Sequence, residues 1–199
     1  MLNWQIGGAL VLAGIGASLA LVTYAAPAAS PKDGRVAVVI SRGHDTDERD
    51  GGRPVVLIAA ALGVPTEVFR QAFSGVHPAP PGRGPSEEEA RANKDALLRV
   101  LGPYGVTNER LDEVSDYYRY NRQRGGLWPT EDATAYVLLK DGKITGFEVA
   151  DGGSGYSSAP TIRLPEGPAI DAQVRLSYGK EFESNGSITS IALTTPPTK

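Results

Sequence analysis

From residue 6 to residue 26 the chain carries no charged side chain, and beyond that run its apolar positions follow first a helical period and then a strict alternation. The uncharged run is mostly Ala, Gly, Leu, Val and Ile, and small residues follow at Ala25, Ala26, Ala28, Ala29 and Ser30. It is long enough to cross a bilayer and also offers small-residue cleavage positions. Residues 1–30 therefore read either as a cleaved export signal or as a retained membrane anchor. The opening Met1-Leu2-Asn3-Trp4-Gln5 has no Lys or Arg, so it leaves orientation unspecified. Both readings place the remainder outside the cytoplasm, as a secreted, periplasmic or membrane-anchored protein.

The next part, residues 31–128, predicts a mainly helical region with one leading strand. Val36-Ala37-Val38-Val39-Ile40 is short, β-branched and bounded by Gly34 and Gly43, the pattern of a buried strand. A polar loop over residues 41–53 leads into Pro54, a good first helical residue. A helix apolar nearly all round is expected from Pro54 to Leu62, ended by Gly63. A second follows Val64-Pro65 to about Phe73, with Val68, Phe69, Ala72 and Phe73 on one side. Ser86 and Glu89 predict a capping box that starts a third helix, with Ala90, Leu97, Leu98 and Leu101 inward until Gly102-Pro103 breaks it. A fourth is expected from about Asn108 to Tyr120, with Leu111, Val114 and Tyr118 on its stripe.

After Trp128-Pro129 the period becomes alternating, which sets the start of a β module at residues 129–199. Two runs, 135–139 and 144–149, flank Asp141-Gly142, a strong type I′ hairpin pair. A related pair follows: residues 172–176 match the first strand, and Asn185-Gly186 with the run to Leu193 matches the second. An insertion within residues 177–184 lengthens the second hairpin. Between the two lies Asp151-Gly152-Gly153-Ser154-Gly155-Tyr156, in which glycines give the backbone freedom and Tyr156 supplies one large ring, expected to anchor in the β core. The expected fold class is α+β: a small region of about four helices followed by a small antiparallel β module of two related hairpins.

The order of strand, Asp/Asn-Gly turn, Ile-Thr strand, Gly-Gly-Ser-Gly-Tyr and Ser-Ala-Pro-Thr-Ile resembles a short β repeat of bacterial secreted and surface proteins and of phage tail-fibre or adhesin-like proteins. The likeness spans residues of about 133–193 and is strongest over 151–162. It implies a stalk or surface module and no catalytic residues. The second copy ends at Thr194-Thr195-Pro196-Pro197 without another glycine tract, which fits one closed module better than a tandem fibre. The whole chain is similar to exported bacterial proteins that join a loop of the form Thr46-Asp47-x-Arg49-Asp50-x-Gly52-Arg53-Pro54-Val55, and helices, to such a module. That likeness implies architecture and no activity.

Composition narrows the chemistry. The 20 Lys and Arg against 23 Asp and Glu give a net charge of -3, which offers no field for nucleic acid as a partner. Without cysteine there are no disulfides and no thiolate metal sites, so any cation site would rest on His and carboxylates. His44, Asp45, Asp47 and Asp50 cluster between a strand and a helix, where metal ligands or acid–base groups are often placed. A calcium loop of the EF-hand type would need its third acidic ligand one place earlier and a glutamate where Val56 stands. No cofactor is expected beyond a possible divalent cation at that loop. The structural alternative has Asp50 capping the helix near Pro54, with Arg49 and Arg53 paired to the aspartates. Ser41 beside His44 and Asp45 does not make a triad, because triads assemble in space. His77 falls on a proline-rich hinge.

Tyr117, Tyr120, Arg122, Arg124 and Trp128 form the candidate binding surface, since exposed rings beside arginines can stack on sugars or peptides. The competing reading makes Tyr118 core and Trp128 a plug between the two parts. Asn185-Gly186-Ser187 matches a glycosylation sequon but reads as a turn. The expected protein is an exported, non-catalytic interaction or structural module of the cell envelope or surface. Its partner would be a protein or glycan of the envelope, and it would meet the membrane only through residues 6–26 if these are retained. The alternative is a metal-dependent hydrolase using the loop from His44 to Asp50.

Overall fold

Alternation and helical period resolve into seven antiparallel strands and four helices in the computed structural model, which describes residues 33–77, 79, 83–120 and 125–194. The expected export segment lies outside the described residues, and no single helix among those described is long and apolar enough to cross a membrane. The fold is α+β.

The leading strand departs from expectation. It breaks at Val38 into β1 (Gly34–Ala37) and β2 (Val39–Ser41), and none of its residues is fully buried. Its partners are in the β part. β1 pairs with β3 (Thr134–Lys140), and β2 pairs with β5 (Thr161–Arg163). The short β-branched run is thus an edge strand that switches partners, not a buried strand of the helical region. The division between residues 31–128 and 129–199 does not separate it from the sheets.

Among the helices, α1 (Val55–Leu62) has no side-chain cap, and Gly63 ends it in the left-handed region at φ 72° with its N–H on Ala59 and Ala60 carbonyls. α2 (Thr66–Phe73) follows after a sharp bend of 104°. α3 (Glu87–Leu101) opens with the expected capping box of Ser86 and Glu89. Its Ala90 is exposed rather than inward, because the first turn of α3 extends beyond the core. α4 (Asn108–Tyr117) is capped by Thr107 and ends earlier than expected, so Tyr120 lies in the following loop. Leu57, Leu62, Phe69, Leu101, Leu111, Val114 and Tyr118 fill the helical core, and Trp128 closes it.

In the β part, β3 and β4 (Lys143–Asp151) form the first hairpin across Asp141 (φ 51°) and Gly142 (φ 74°), the left-handed pair a type I′ turn requires. Strands β6 (Ala172–Ser177) and β7 (Ser187–Leu193) form the second, and β4 lies against β7. Ala135, Tyr156, Ile162, Ile188 and Ile191 make the β core. The longer second connection runs through residues 178–186 and turns Phe182 and Asn185 inward, while most of its other side chains stay exposed. Its Phe182 stacks on Tyr117 with ring centres 4.0 Å apart and packs on the helical core.

Candidate functional site

The polar loop between β2 and α1 is bolted to the residues after the glycine tract. The Gly43 carbonyl accepts from the Ser157 and Ser158 amides at 2.9 and 3.0 Å. The Asp45 amide donates to Ser158 Oγ at 3.0 Å, and Ser157 Oγ donates to the Asp45 carbonyl at 2.8 Å. This fixes His44 against Tyr156, with ring centroids 5.3 Å apart and planes 17° from parallel, and edge-on to Trp128 at 6.1 Å. Trp128 donates its indole N–H to the Gly155 carbonyl at 2.8 Å, and the Tyr120 hydroxyl donates to the Gly52 carbonyl. A cavity of about 260 Å³ opens beside His44, Thr46, Tyr120 and Trp128.

The His44 Nε2 atom is buried without a hydrogen-bond partner. Burial pushes the imidazole below its ordinary value, and the Asp132 and Asp45 carboxylates oppose this more weakly. The unfolded chain therefore takes up a proton at His44 at higher pH than the folded chain. Between the ordinary value near 6.5 and the depressed one the unfolded state holds more protons, so stability falls as pH falls. We expect the denaturation midpoint to drop on acidification below about pH 6.5. His44→Phe should remove that component, and a wild-type slope retained in the variant would assign it elsewhere.

The aspartates engage arginines instead of converging. Asp47 accepts from the Arg49 amide at 3.0 Å and from the Arg49 guanidinium at 2.7 Å, and these bonds hold its carboxyl well below the usual range. Asp50 is buried and receives a bidentate bond from Arg70 of α2, Nε to Oδ1 at 2.7 Å and Nη2 to Oδ2 at 2.9 Å. That bond is the main cause holding Arg70 above its ordinary range, and Arg70 also reaches Glu67. Asp45 is exposed. Among the described residues, no three His, Asp or Glu side chains gather to hold a metal ion. The expected ligand set of His44, Asp45, Asp47 and Asp50 is dispersed, because His44 faces aromatic rings and two of the carboxylates are taken by arginines. The capping alternative also changes. Asp50 ties the loop to α2 and does not cap α1, while Arg53 donates to the Asp50 main-chain carbonyl at 3.2 Å.

Asp50→Ala leaves the one-fifth-exposed Arg70 to Glu67, to the more distant Asp47 and to water. We expect it to cost about 1–3 kcal/mol in chemical denaturation, the range for a lost charge-assisted, partly buried bond. The effect should be non-additive with Arg70→Ala, and strict additivity would show that the clip carries no coupling.

The aromatic surface is largely internal. Trp128 is 3% exposed, Tyr117 lies against Phe182, and Tyr120 meets Trp128 edge-on at 5.5 Å. Trp128 plugs the junction and presents no open face for stacking. Arg122 and Arg124 lie outside the described residues. Sequence reasoning missed Arg70, whose pairing with Asp50 has no local signature, and Asn185, which looked like a turn residue. It also missed two clefts in the helical half. One of about 450 Å³ lies by Arg49, Arg53, Glu67, Arg70 and Phe73, and one of about 250 Å³ lies over Ile58, Phe69, Phe73 and Leu97.

Compared with known protein families, curated proteins and solved structures, the chain matches none.

Proposed function

We propose that the protein is an exported, non-catalytic module of the cell envelope or surface that acts through interaction with a protein or glycan there. One observation carries the non-catalytic part. Three of the four ionisable groups that could have formed a reaction centre in the polar loop are committed to its own framework, Asp47 to Arg49, Asp50 to Arg70, and His44 to the face of Tyr156 and edge-on to Trp128, which leaves Asp45 alone at the surface. The extracytoplasmic location is supported by the charge-free run of residues 6–26, and the net charge of -3 argues against nucleic acid as the partner.

A thermal shift series with calcium and zinc, before and after chelation, tests the reading against a metal-dependent hydrolase. No metal-dependent shift is expected. A chelator-reversible rise that Asp47→Asn or Asp50→Asn abolishes would restore the hydrolase. Fractionation with determination of the mature N-terminal residue tests export. A chain that begins at Met1 and stays in the cytosol would refute it.

A further inference from the structure

Arg53 ends the polar loop at the entrance to α1, and it is the arginine of this cluster that lacks a carboxylate. Arg49 pairs with Asp47 and Glu67, and Arg70 pairs with Asp50, Asp47 and Glu67. Arg53 forms no ion pair among the described residues. Its protein acceptor is the Asp50 carbonyl, and its guanidinium carbon stands 4.3 Å over the Phe73 ring. A guanidinium held in this way keeps N–H groups free for a planar anion.

The surroundings of Arg53 are mostly apolar. It lines the cleft of about 250 Å³ together with Ile58, Phe69, Phe73, Leu97 and Leu111, while Ser115 and Arg119 stand at the mouth. Arg53 and Phe73 also line the neighbouring cleft of about 450 Å³. A cation beside a concave apolar wall is the arrangement that orients a ligand with an apolar body and one anionic end. A carboxylate suits the guanidinium fork, and Arg119 at the mouth already has Asp116 at 2.7 Å.

We propose that the cleft between α1, α2, α3 and α4 binds a small amphiphilic carboxylate, with its apolar body on Phe69, Phe73 and Leu97 and its carboxylate on Arg53. This goes beyond the interaction role above and is independent of where the protein resides. Charge complementarity selects the anion: no acidic side chain lines the smaller cleft. An alcohol of the same length would leave Arg53 without its partner, and a quaternary amine would meet the arginine's charge.

Ligand-observed NMR titration of the full chain with octanoate, octanol and octyltrimethylammonium tests the assignment. Octanoate should bind at least about 10-fold more tightly than octanol, the factor that corresponds to one charge-assisted hydrogen bond. Arg53→Gln should remove that advantage and leave octanol unchanged. Ser115→Trp, at an exposed position on the mouth, should weaken both ligands at an unaltered melting temperature, so the proposal is decided even if Arg53→Gln does not fold. Equal binding of octanoate and octanol, octanoate binding that survives both substitutions, or no binding of octanoate would each overturn it.

Discussion

Replacing Tyr156 by alanine is expected to lower stability by about 3–5 kcal/mol, the cost of deleting a large buried aromatic. The side chain is 3% exposed and joins Ile162, Ile188 and Ala135 in the β core. Its hydroxyl accepts the Ala133 amide at 3.0 Å, and its ring carries His44. The surroundings have little room to collapse onto the cavity, because the flanking backbone is pinned on both sides. Gly155 and Tyr156 donate their amides to the Asn185 and Gly186 carbonyls at 2.8 and 3.0 Å, while Ser154 bridges to Glu131. Tyr156→Phe separates the contributions: it keeps the ring, leaves the Ala133 amide unpaired, and should cost about 1–2 kcal/mol. Urea denaturation at a common m-value measures both. A loss under about 1 kcal/mol for the alanine variant would show that the ring is not a core anchor.

The glycine tract was legible in the sequence as a connector, but the reason for its glycines was not. Positive φ alone would fit any tight turn. At Gly153, φ is 57° and a Cβ would sit 2.3 Å from the Glu131 carbonyl oxygen, so the residue is glycine because another backbone crosses it. That crossing depends on which distant segment arrives there, and periodicity holds no such information. The hairpins were legible because Asp-Gly turns and alternation are local, as were the helices bounded by Gly63 and capped by Ser86. The leading strand was misassigned to the helical side because a short β-branched run states its conformation but not its neighbour, and β1 and β2 find theirs about a hundred residues away, in β3 and β5.

The metal reading of the polar loop failed for the same reason, whereas the pairing of Arg49 with an aspartate was legible locally. The carboxylates at 45, 47 and 50 look available when only the loop is read, yet the cation that takes Asp50 lies on α2, and the rings that enclose His44 come from residues 128 and 156. A dense local cluster of polar residues reports loop composition, and only the tertiary partners decide whether its charges face a ligand or one another. Arg53 carries the reverse lesson. In sequence it was one of two arginines that the structural alternative paired with the aspartates, and its lack of a carboxylate appears only once Arg49 and Arg70 are seen to have taken them.

Asn185→Ala is expected to cost about 2–5 kcal/mol, with the buried Tyr118 hydroxyl and the half-buried Gly179 amide left unpaired at about 1–3 kcal/mol each. The side chain is fully buried and ties the second connection to the helical core: its amide donates to the Leu57 carbonyl and to the Tyr118 hydroxyl, both at 2.8 Å, and its oxygen accepts the Gly179 amide at 3.2 Å. Gly186 beside it has φ 75°, and a Cβ there would lie 2.5 Å from the Tyr156 carbonyl oxygen, so the turn cannot retreat from this crossing. Burial raises the Tyr118 phenol to about 12, and the bond from Asn185 opposes that shift. In the alanine variant the Tyr118 titration should therefore move higher still, provided the fold survives. Asn185→Asp tests the donor role separately, since an ionised carboxylate cannot donate to Leu57 and would sit buried without a cation. The extra length of the second hairpin thus has a mechanical use. It carries Phe182 and Asn185 into the helical half, so loosening Asn185 should lower the melting transition of both halves together. Two separated transitions, or an alanine variant as stable as the wild type, would show that this connection does not hold the halves as one cooperative unit.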